Sequence, residues 1–436
     1  MPMVDKTSPR QTWLIALAAP LVAGISVFAS SMMQELSLGF LLLMLALFAA
    51  AALYAMVYGL SLHAILPLIG LFFIKPLEYS FYFVLLLFVF VFLIEYLQKE
   101  RVQLIIPHPL AFTLLLAFGI LSATKIQVPM GYTYFISTVL VPIFLLTVFR
   151  NVPITRHSLR LWMQVISYIG AFVGLYGVVI ALLNPFERLG SFWVTAMTIN
   201  GFYTVAFFFA ITLALYHKSR LKKLVNAACA LLILLGMLYT YTRMAILAVA
   251  FGIFLLMLRL KVMRYLGLAL MLLMPLLIPS SMSSRIQLGF TYDVSLVIRA
   301  LAWYLAITQI IRFPLTGMGF SVWSTWYAKV IPLPMLYAQH THNLFLNLMI
   351  DMGIIGTGAF LYLIFIPMHR YYRRFIKGSQ DILSFGFWVS MMALLFACIT
   401  DIFIQQYSIS ILFWVSLGLM ISLNSSPQNE PLRKQL

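Results

Sequence analysis

The chain has 436 residues, of which 63% are hydrophobic and only 9% charged. A soluble domain carries roughly a quarter charged residues, so this chain cannot cover a core with polar surface, and lipid must act as its solvent. The net charge of +17 would suggest nucleic acid for a soluble protein; in a membrane protein the placement of the charges matters more than their sum.

At the N-terminus, Lys6 and Arg10 precede an apolar run from Trp13 to Ala29. The run resembles a signal peptide, but cleavage would leave a protein that is still all membrane crossings, so it reads as a retained first crossing. Apolar runs long enough for a helix to cross the hydrocarbon follow at 12–30, 36–57, 60–74, 79–97, 108–124, 131–149, 160–183, 198–216, 222–240, 243–259, 263–279, 343–366, 382–402 and 405–423. The strict alternation of a β-barrel is missing, and helices are the other spanning form that satisfies its own backbone. Cys229 and Cys398 both fall inside apolar runs, so neither a disulfide framework nor a thiolate metal site follows from them. The expected fold is an all-α polytopic membrane protein with about 12–14 transmembrane helices.

With the N-terminus in the cytoplasm, alternation puts 20 of the 28 Lys and Arg residues on the cytoplasmic side and 8 outside, as the positive-inside rule requires. Residues 294–311 are almost wholly apolar. As a crossing they would bury Arg299 in hydrocarbon, at a cost of roughly 2.5–3.5 kcal/mol, and move the cluster Arg370, Arg373, Arg374 and Lys377 outside. They therefore read as a helix lying on or dipping into the outer face. The residues from Ser280 to His342 become one large periplasmic loop that carries interfacial helices.

A transporter places polar groups near the midplane, often on broken helices. Here the crossings are nearly free of charge, with Glu95, Asp351 and Asp401 near crossing ends or a few turns in. The outer arginines gather at two links and in the late loop. Arg188 lies in Glu187-Arg188-Leu189-Gly190-Ser191-Phe192, and Arg243 in Tyr241-Thr242-Arg243-Met244-Ala245; Arg285, Arg299 and Arg312 belong to the loop. A guanidinium fork binds phosphate oxygens bidentately and stays charged, whereas the plainer role of each is an interfacial anchor that snorkels. Asp293 is the loop's one carboxylate, and His340 and His342, in Gln339-His340-Thr341-His342-Asn343, are its histidines. A histidine there can take a proton from a sugar hydroxyl near neutral pH, or the pair can simply cap the next helix. A metal is the weaker alternative, because His-x-His offers two ligands and no third partner is evident nearby.

These residues carry a resemblance to the bacterial O-antigen ligase and O-antigen polymerase superfamily. Arg188-Leu189-Gly190-Ser191-Phe192 resembles its Arg-x-x-Gly-Thr-Phe stretch, and Thr242-Arg243-Met244-Ala245 its Ser-Arg-Gly-Ala stretch. Arg299 with Trp303, followed by Pro314-Leu315-Thr316-Gly317-Met318-Gly319-Phe320, resembles its Arg and Pro-Leu-Thr-Gly-x-Gly-Phe signature. His342-Asn343 and then Asp351, Gly353-Ile354-Ile355-Gly356 resemble its His-Asn motif and Glu-x-Gly-Ile-Ile-Gly continuation. Asp351 stands where the family has Glu, Met244 where it has Gly, and fourteen crossings exceed its usual dozen or so.

The resemblance implies an inner-membrane glycosyltransferase with both termini cytoplasmic and its site at the periplasmic face. Its donor would be a glycan on undecaprenyl diphosphate. Its acceptor would be lipid A core for a ligase, or a second lipid-linked glycan for a polymerase. Arg188, Arg243 and Arg299 would hold the diphosphate. His342 would orient or deprotonate the acceptor, and His340, Asn343, Asp351 and Arg285 would support the site; neither metal nor cofactor is expected, and no nucleic acid. The corresponding division is crossings over 1–183, crossings with arginine motifs over 184–279, the loop over 280–342, crossings over 343–423 and a cytoplasmic tail over 424–436. A lipid-glycan transporter and a peptidoglycan glycan polymerase, for which Asp293 would be the base, are the rival readings.

Overall fold

The computed structural model describes residues 105–151, 154–183, 196–277 and 294–425. The four crossings read before residue 105, and Arg188, Arg285 and Asp293, lie outside them. Regular structure among the described residues is wholly helical. In chain order the helices are α1 (Pro109–Ala123), α2 (Met130–Asn151, with a π-helical stretch Ile136–Leu140), α3 (Arg156–Leu183), α4 (Ala196–Tyr216), α5 (Arg220–Tyr239) and α6 (Arg243–Arg259). They continue with α7 (Lys261–Leu277), α8 (Val294–Arg312), α9 (Val322–Val330), α10 (Leu344–Tyr371), α11 (Ile382–Ala397) and α12 (Tyr407–Ser425). The ten crossings read after residue 105 each correspond to a helix, with ends displaced by a few residues. Six of the helices, α8 among them, are long and apolar enough to cross a membrane.

The core is built by packing α3 on α4 and α5, α4 on α11, α2 on α12, and α1 on α10. Lipid supplies no hydrophobic drive between helices, so close backbone approach and shape matter most. Gly174 of α3 and Gly236 of α5 show this: a Cβ on Gly236 would stand 2.7 Å from the Gly174 Cα. Elsewhere aromatic faces fill the seam, as where Phe209 stacks on Phe387 at 5.3 Å.

The bundle has two chemically different ends. At one, Arg156 pairs with Asp381 at 2.9 Å, Arg259 donates to the Ile376 carbonyl at 2.8 Å, and Arg374 donates to the Asn424 carbonyl. These are arginines that the alternation assigned to one side. The other end carries Lys125, Arg299, His340 and His342.

Helix α10 is not continuous. Gly353 has φ 69° and ψ −176°, a region open essentially only to glycine. The break frees backbone groups that hydrocarbon cannot satisfy, and the Pro314–Phe320 segment supplies the partners. Met318 N–H donates to the Ile350 carbonyl at 2.6 Å, and Ile354 N–H donates to the Pro314 carbonyl at 2.8 Å. Gly317, at φ 64°, lets the two backbones touch; a Cβ there would lie 2.4 Å from the Ile350 oxygen. Lys125 clamps the segment from α1, donating to the Gly317 carbonyl at 2.9 Å and to Thr316 Oγ1 at 3.2 Å. Lys125 thereby takes part in holding the break in place.

Helix α8 therefore lies along only the first part of α10. From the middle of α8 Trp303 Nε1 donates to the Thr341 carbonyl at 2.9 Å, and past the end of α8 Ile354 N–H donates to the Pro314 carbonyl. The chain then returns through α9 to His340. The segment 294–342 enters and leaves at one end of the bundle, as a re-entrant hairpin whose apolar outer face (Val297, Tyr304, Ile311) stays exposed.

One buried carboxyl group fastens this hairpin to the rest. Asp351 is 1% exposed. Its Oδ2 accepts from Asn347 Nδ2 at 2.9 Å and from Gln405 Nε2 at 3.0 Å, and the carboxyl group also accepts from the Ser321 backbone N–H. Asn347 Oδ1 in turn accepts from the Thr341 N–H at 3.3 Å. Gln405 Nε2 also donates to Thr138 Oγ1 at 3.3 Å, and the Gln405 carbonyl accepts from Ser137 Oγ at 2.8 Å, both in the π-helical stretch of α2. Such a stretch inside a helix commonly marks a functional site.

Two outcomes follow from this wiring. Gly353→Ala is expected to destabilise the purified protein by more than about 1–3 kcal/mol, because its Cβ would also fall 2.2 Å from the Leu315 carbonyl oxygen; thermal unfolding in detergent measures this. Gly358→Ala, with nothing within 4 Å, should be neutral or slightly stabilising. Asp351→Asn puts an amide N–H against a donor and should cost roughly 1.5–3 kcal/mol, read by the same assay; an unchanged melting temperature would show that Asp351 fastens nothing.

Candidate functional site

The link from Tyr337 to Asn343 delivers two histidines to the end of α10. Asn343 is the true N-cap, its Oδ1 accepting from the Leu346 N–H at 3.1 Å. The histidines are therefore not needed as caps and are free for other work. His342 has φ 52°, a left-handed conformation that is uncommon for a non-glycine residue and typical of strain held at functional sites. The surroundings impose it: the Thr341 side chain is buried and donates to the Asn343 carbonyl at 2.9 Å, while Trp303 and Asn347 grip the Thr341 backbone from either side.

The two imidazoles meet edge to face with centroids 4.2 Å apart. His340 Nδ1 accepts from the His342 backbone N–H at 3.2 Å, so neutral His340 carries its proton on Nε2. That atom lies 4.0 Å from Asp401 Oδ1. Asp401 is 1% exposed and sits in the link between α11 and α12, where its Oδ1 also accepts from the Ile402 N–H at 2.7 Å. Arg299 reaches the cluster from α8 and acts electrostatically on both histidines and on Asp401. Three separate segments thus converge on one spot.

Burial governs the charges. It pushes His342 down to about 4, helped by His340 and Arg299 and opposed by Asp401. It also lowers His340 to about 4, with the Arg299 charge adding to the effect. Burial raises Asp401, while His342 and Arg299 pull it back. At neutral pH both imidazoles are free bases. Two buried polar atoms here have no partner among the described residues, Arg299 Nε and His342 Nδ1. Such groups cost roughly 1–3 kcal/mol when unsatisfied, so a donor and a basic nitrogen held in that state mark a place for a ligand.

A metal was the weaker reading of the histidine pair for want of a third ligand. Asp401 supplies one, since one ligand atom each of His340, His342 and Asp401 lie within 4.8 Å of one another. Two features count against a cation. His340 Nδ1 is already engaged by a backbone N–H, and the Arg299 charge makes the spot attractive to anions. Asp401 and Gln405 carry no sequence signal tying them to His342; only proximity in the bundle reveals them.

Arg243 is the first residue of α6, where its charge adds to the positive end of the helix dipole and favours an anion. Its end of the bundle is fixed by neighbours. Thr240 Oγ1 accepts from Asn200 Nδ2 at 2.9 Å, and a Cβ on the adjacent Gly201 would lie 2.8 Å from the Phe403 ring. Since Phe403 follows Asp401 by two residues, Arg243 lies at the same end as the histidine cluster. Arg312 lies at the far end of α8 and is exposed, away from the cluster.

Residues 227–361 match the family model described as O-antigen ligase. No curated protein matches the chain. The matched stretch contains Arg243, Arg299, the re-entrant segment, His342 and Asp351, whereas Arg188 and Asp401 fall outside it. Over that stretch, about a third of the chain, the sequence is similar to the O-antigen ligase family.

Proposed function

We propose that the chain transfers a glycan from undecaprenyl diphosphate to an acceptor hydroxyl at the periplasmic face of the inner membrane. The observation that carries this reading is the meeting of Arg299, His340, His342 and Asp401, with Arg299 Nε and His342 Nδ1 unpartnered among the described residues, at the end of the bundle poor in basic residues. Arg299 and Arg243, with Arg188 as a third candidate, hold the diphosphate. Cations fixed in advance at developing charge form the largest catalytic term in many enzymes. The acceptor oxygen attacks the anomeric carbon, the bond from that carbon to the diphosphate oxygen breaks, and the hydroxyl proton passes to the His342 imidazole. Asp401, within 4.8 Å of both histidines, stabilises the imidazolium so formed, and His340 stays neutral beside them. The acceptor is lipid A core in a ligase and a second lipid-linked glycan in a polymerase. A deletion strain distinguishes the two: full-length glycan accumulates on the lipid carrier if a ligase is lost, and single repeats remain on lipid A if a polymerase is lost.

The assay for the site is transfer from purified lipid-linked donor in detergent. His342→Ala should lower the rate about 10²–10⁴-fold, with a smaller loss in His340→Ala. Because the folded His342 is depressed to about 4, protonation should silence the base only near that pH, so kcat/KM should hold through pH 6.5 and fall on the acid side well below it. An acid limb at the ordinary histidine value, or activity lost in EDTA and restored by a divalent ion, would refute the metal-free base.

The phosphate contacts depend on geometry as well as charge. Arg299→Lys and Arg243→Lys should each cost nearly as much as the corresponding alanine change, about 10- to 150-fold for one charge-assisted contact, because lysine lacks the planar fork. Full activity in Arg243→Ala at matched expression would reduce Arg243 to an anchor.

A further inference from the structure

At the end of the bundle opposite His342, a cleft of about 950 Å³ opens between the last turns of α6, the end of α10 and the start of α11. Its deep walls are apolar and aromatic, with Leu255, Phe365 and Trp388 among them, and its rim carries Arg259 and Lys377. Phe365 and Trp388 stand about two turns inside their helix ends, so the apolar part reaches roughly 10 Å below the charged rim.

The charge around that rim is one-sided. Residues 259–264 and 370–377 contain seven Lys and Arg and no Asp or Glu. Among the described residues the nearby carboxylate is Asp381, already paired with Arg156 at 2.9 Å. Arg259 spends one N–H on the Ile376 carbonyl and lies over the Phe385 ring at 4.9 Å, which fixes its guanidinium at the mouth. Lys377 is exposed beside it. Trp388 Nε1 has no partner among the described residues, and its indole is steadied by Tyr372 at 5.2 Å.

A slot that is apolar below and cationic above, at the end of a membrane bundle, fits an anionic amphiphile. A free anion would leave the apolar walls unfilled, and a zwitterionic lipid would leave the cations unmatched. The geometry points to a binding site for one anionic phospholipid, with its acyl chains against Phe365 and Trp388 and its headgroup phosphate on Arg259 and Lys377. Basic pockets between helices are a recurring form of lipid recognition, with about 1 kcal/mol gained per cation near the surface. This site is separate from the histidine cluster and does not depend on the proposed transfer reaction.

The test uses full-length protein stripped of lipid in detergent and titrated with brominated phosphatidylglycerol or with brominated phosphatidylcholine of the same chains. Bromine quenches nearby tryptophan, and subtracting the Trp388→Phe signal isolates Trp388 from the other tryptophans. Trp388 should be quenched at phosphatidylglycerol concentrations several-fold lower than for phosphatidylcholine. Lys377→Gln should weaken the phosphatidylglycerol response about fivefold, and Lys329→Gln, at the other end, should not change it. Inorganic phosphate should fail to displace the lipid. Equal quenching by the two lipids, an unchanged preference in Lys377→Gln, or displacement by phosphate would each overturn the proposal.

Discussion

The carboxyl group of Asp351 holds the functional end of this protein in register. It lies inside an apolar bundle, where an unpaired polar group is costly, and it accepts from Ser321, Asn347 and Gln405. Those three donors belong to the re-entrant hairpin, to the helix below His342, and to the link that carries Asp401. A single buried acceptor can coordinate three otherwise independent segments because in hydrocarbon none of the donors has water as an alternative.

The break in α10 is the second half of the same arrangement. A continuous helix would satisfy its own backbone and offer nothing to a neighbour. The turn at Gly353 releases the Ile350 carbonyl and the Ile354 N–H, and the Pro314–Phe320 backbone is bound through them. The hairpin is thereby fixed by backbone hydrogen bonds, and Trp303 and Arg299, on the helix that leads into it, take their positions from that anchorage. The strained His342 backbone is held by the same contacts from the other side.

Electrostatically the cluster balances three cation-seeking groups, His340, His342 and Asp401, with one fixed cation. Neutral histidines and a buried Asp401 would invite a metal, but Arg299 beside them turns the preference toward an anion. In the proposed transfer, the proton taken up by a histidine acting as base would be stabilised by Asp401, and Arg299 would hold the leaving group. Burial makes both effects strong, since charges interact more strongly where water is excluded.

Much of this was legible in the chain itself. Apolar run length located the described helices, because hydrocarbon admits little else, and the uneven distribution of Lys and Arg suggested a sidedness for the two ends of the bundle. The expectation that 294–311 stays at one face follows from the cost of burying Arg299; by length and composition the helix Val294–Arg312 is also able to cross a membrane. Motif order singled out Arg243, Arg299, His342 and Asp351. The meaning of Gly353, the clamp by Lys125 and the partnership of Asp401 and Gln405 with the histidines came only from the folded bundle. Periodicity and hydropathy are local properties of a helix, whereas these contacts join residues far apart in sequence and depend on which helix faces lie together at one depth.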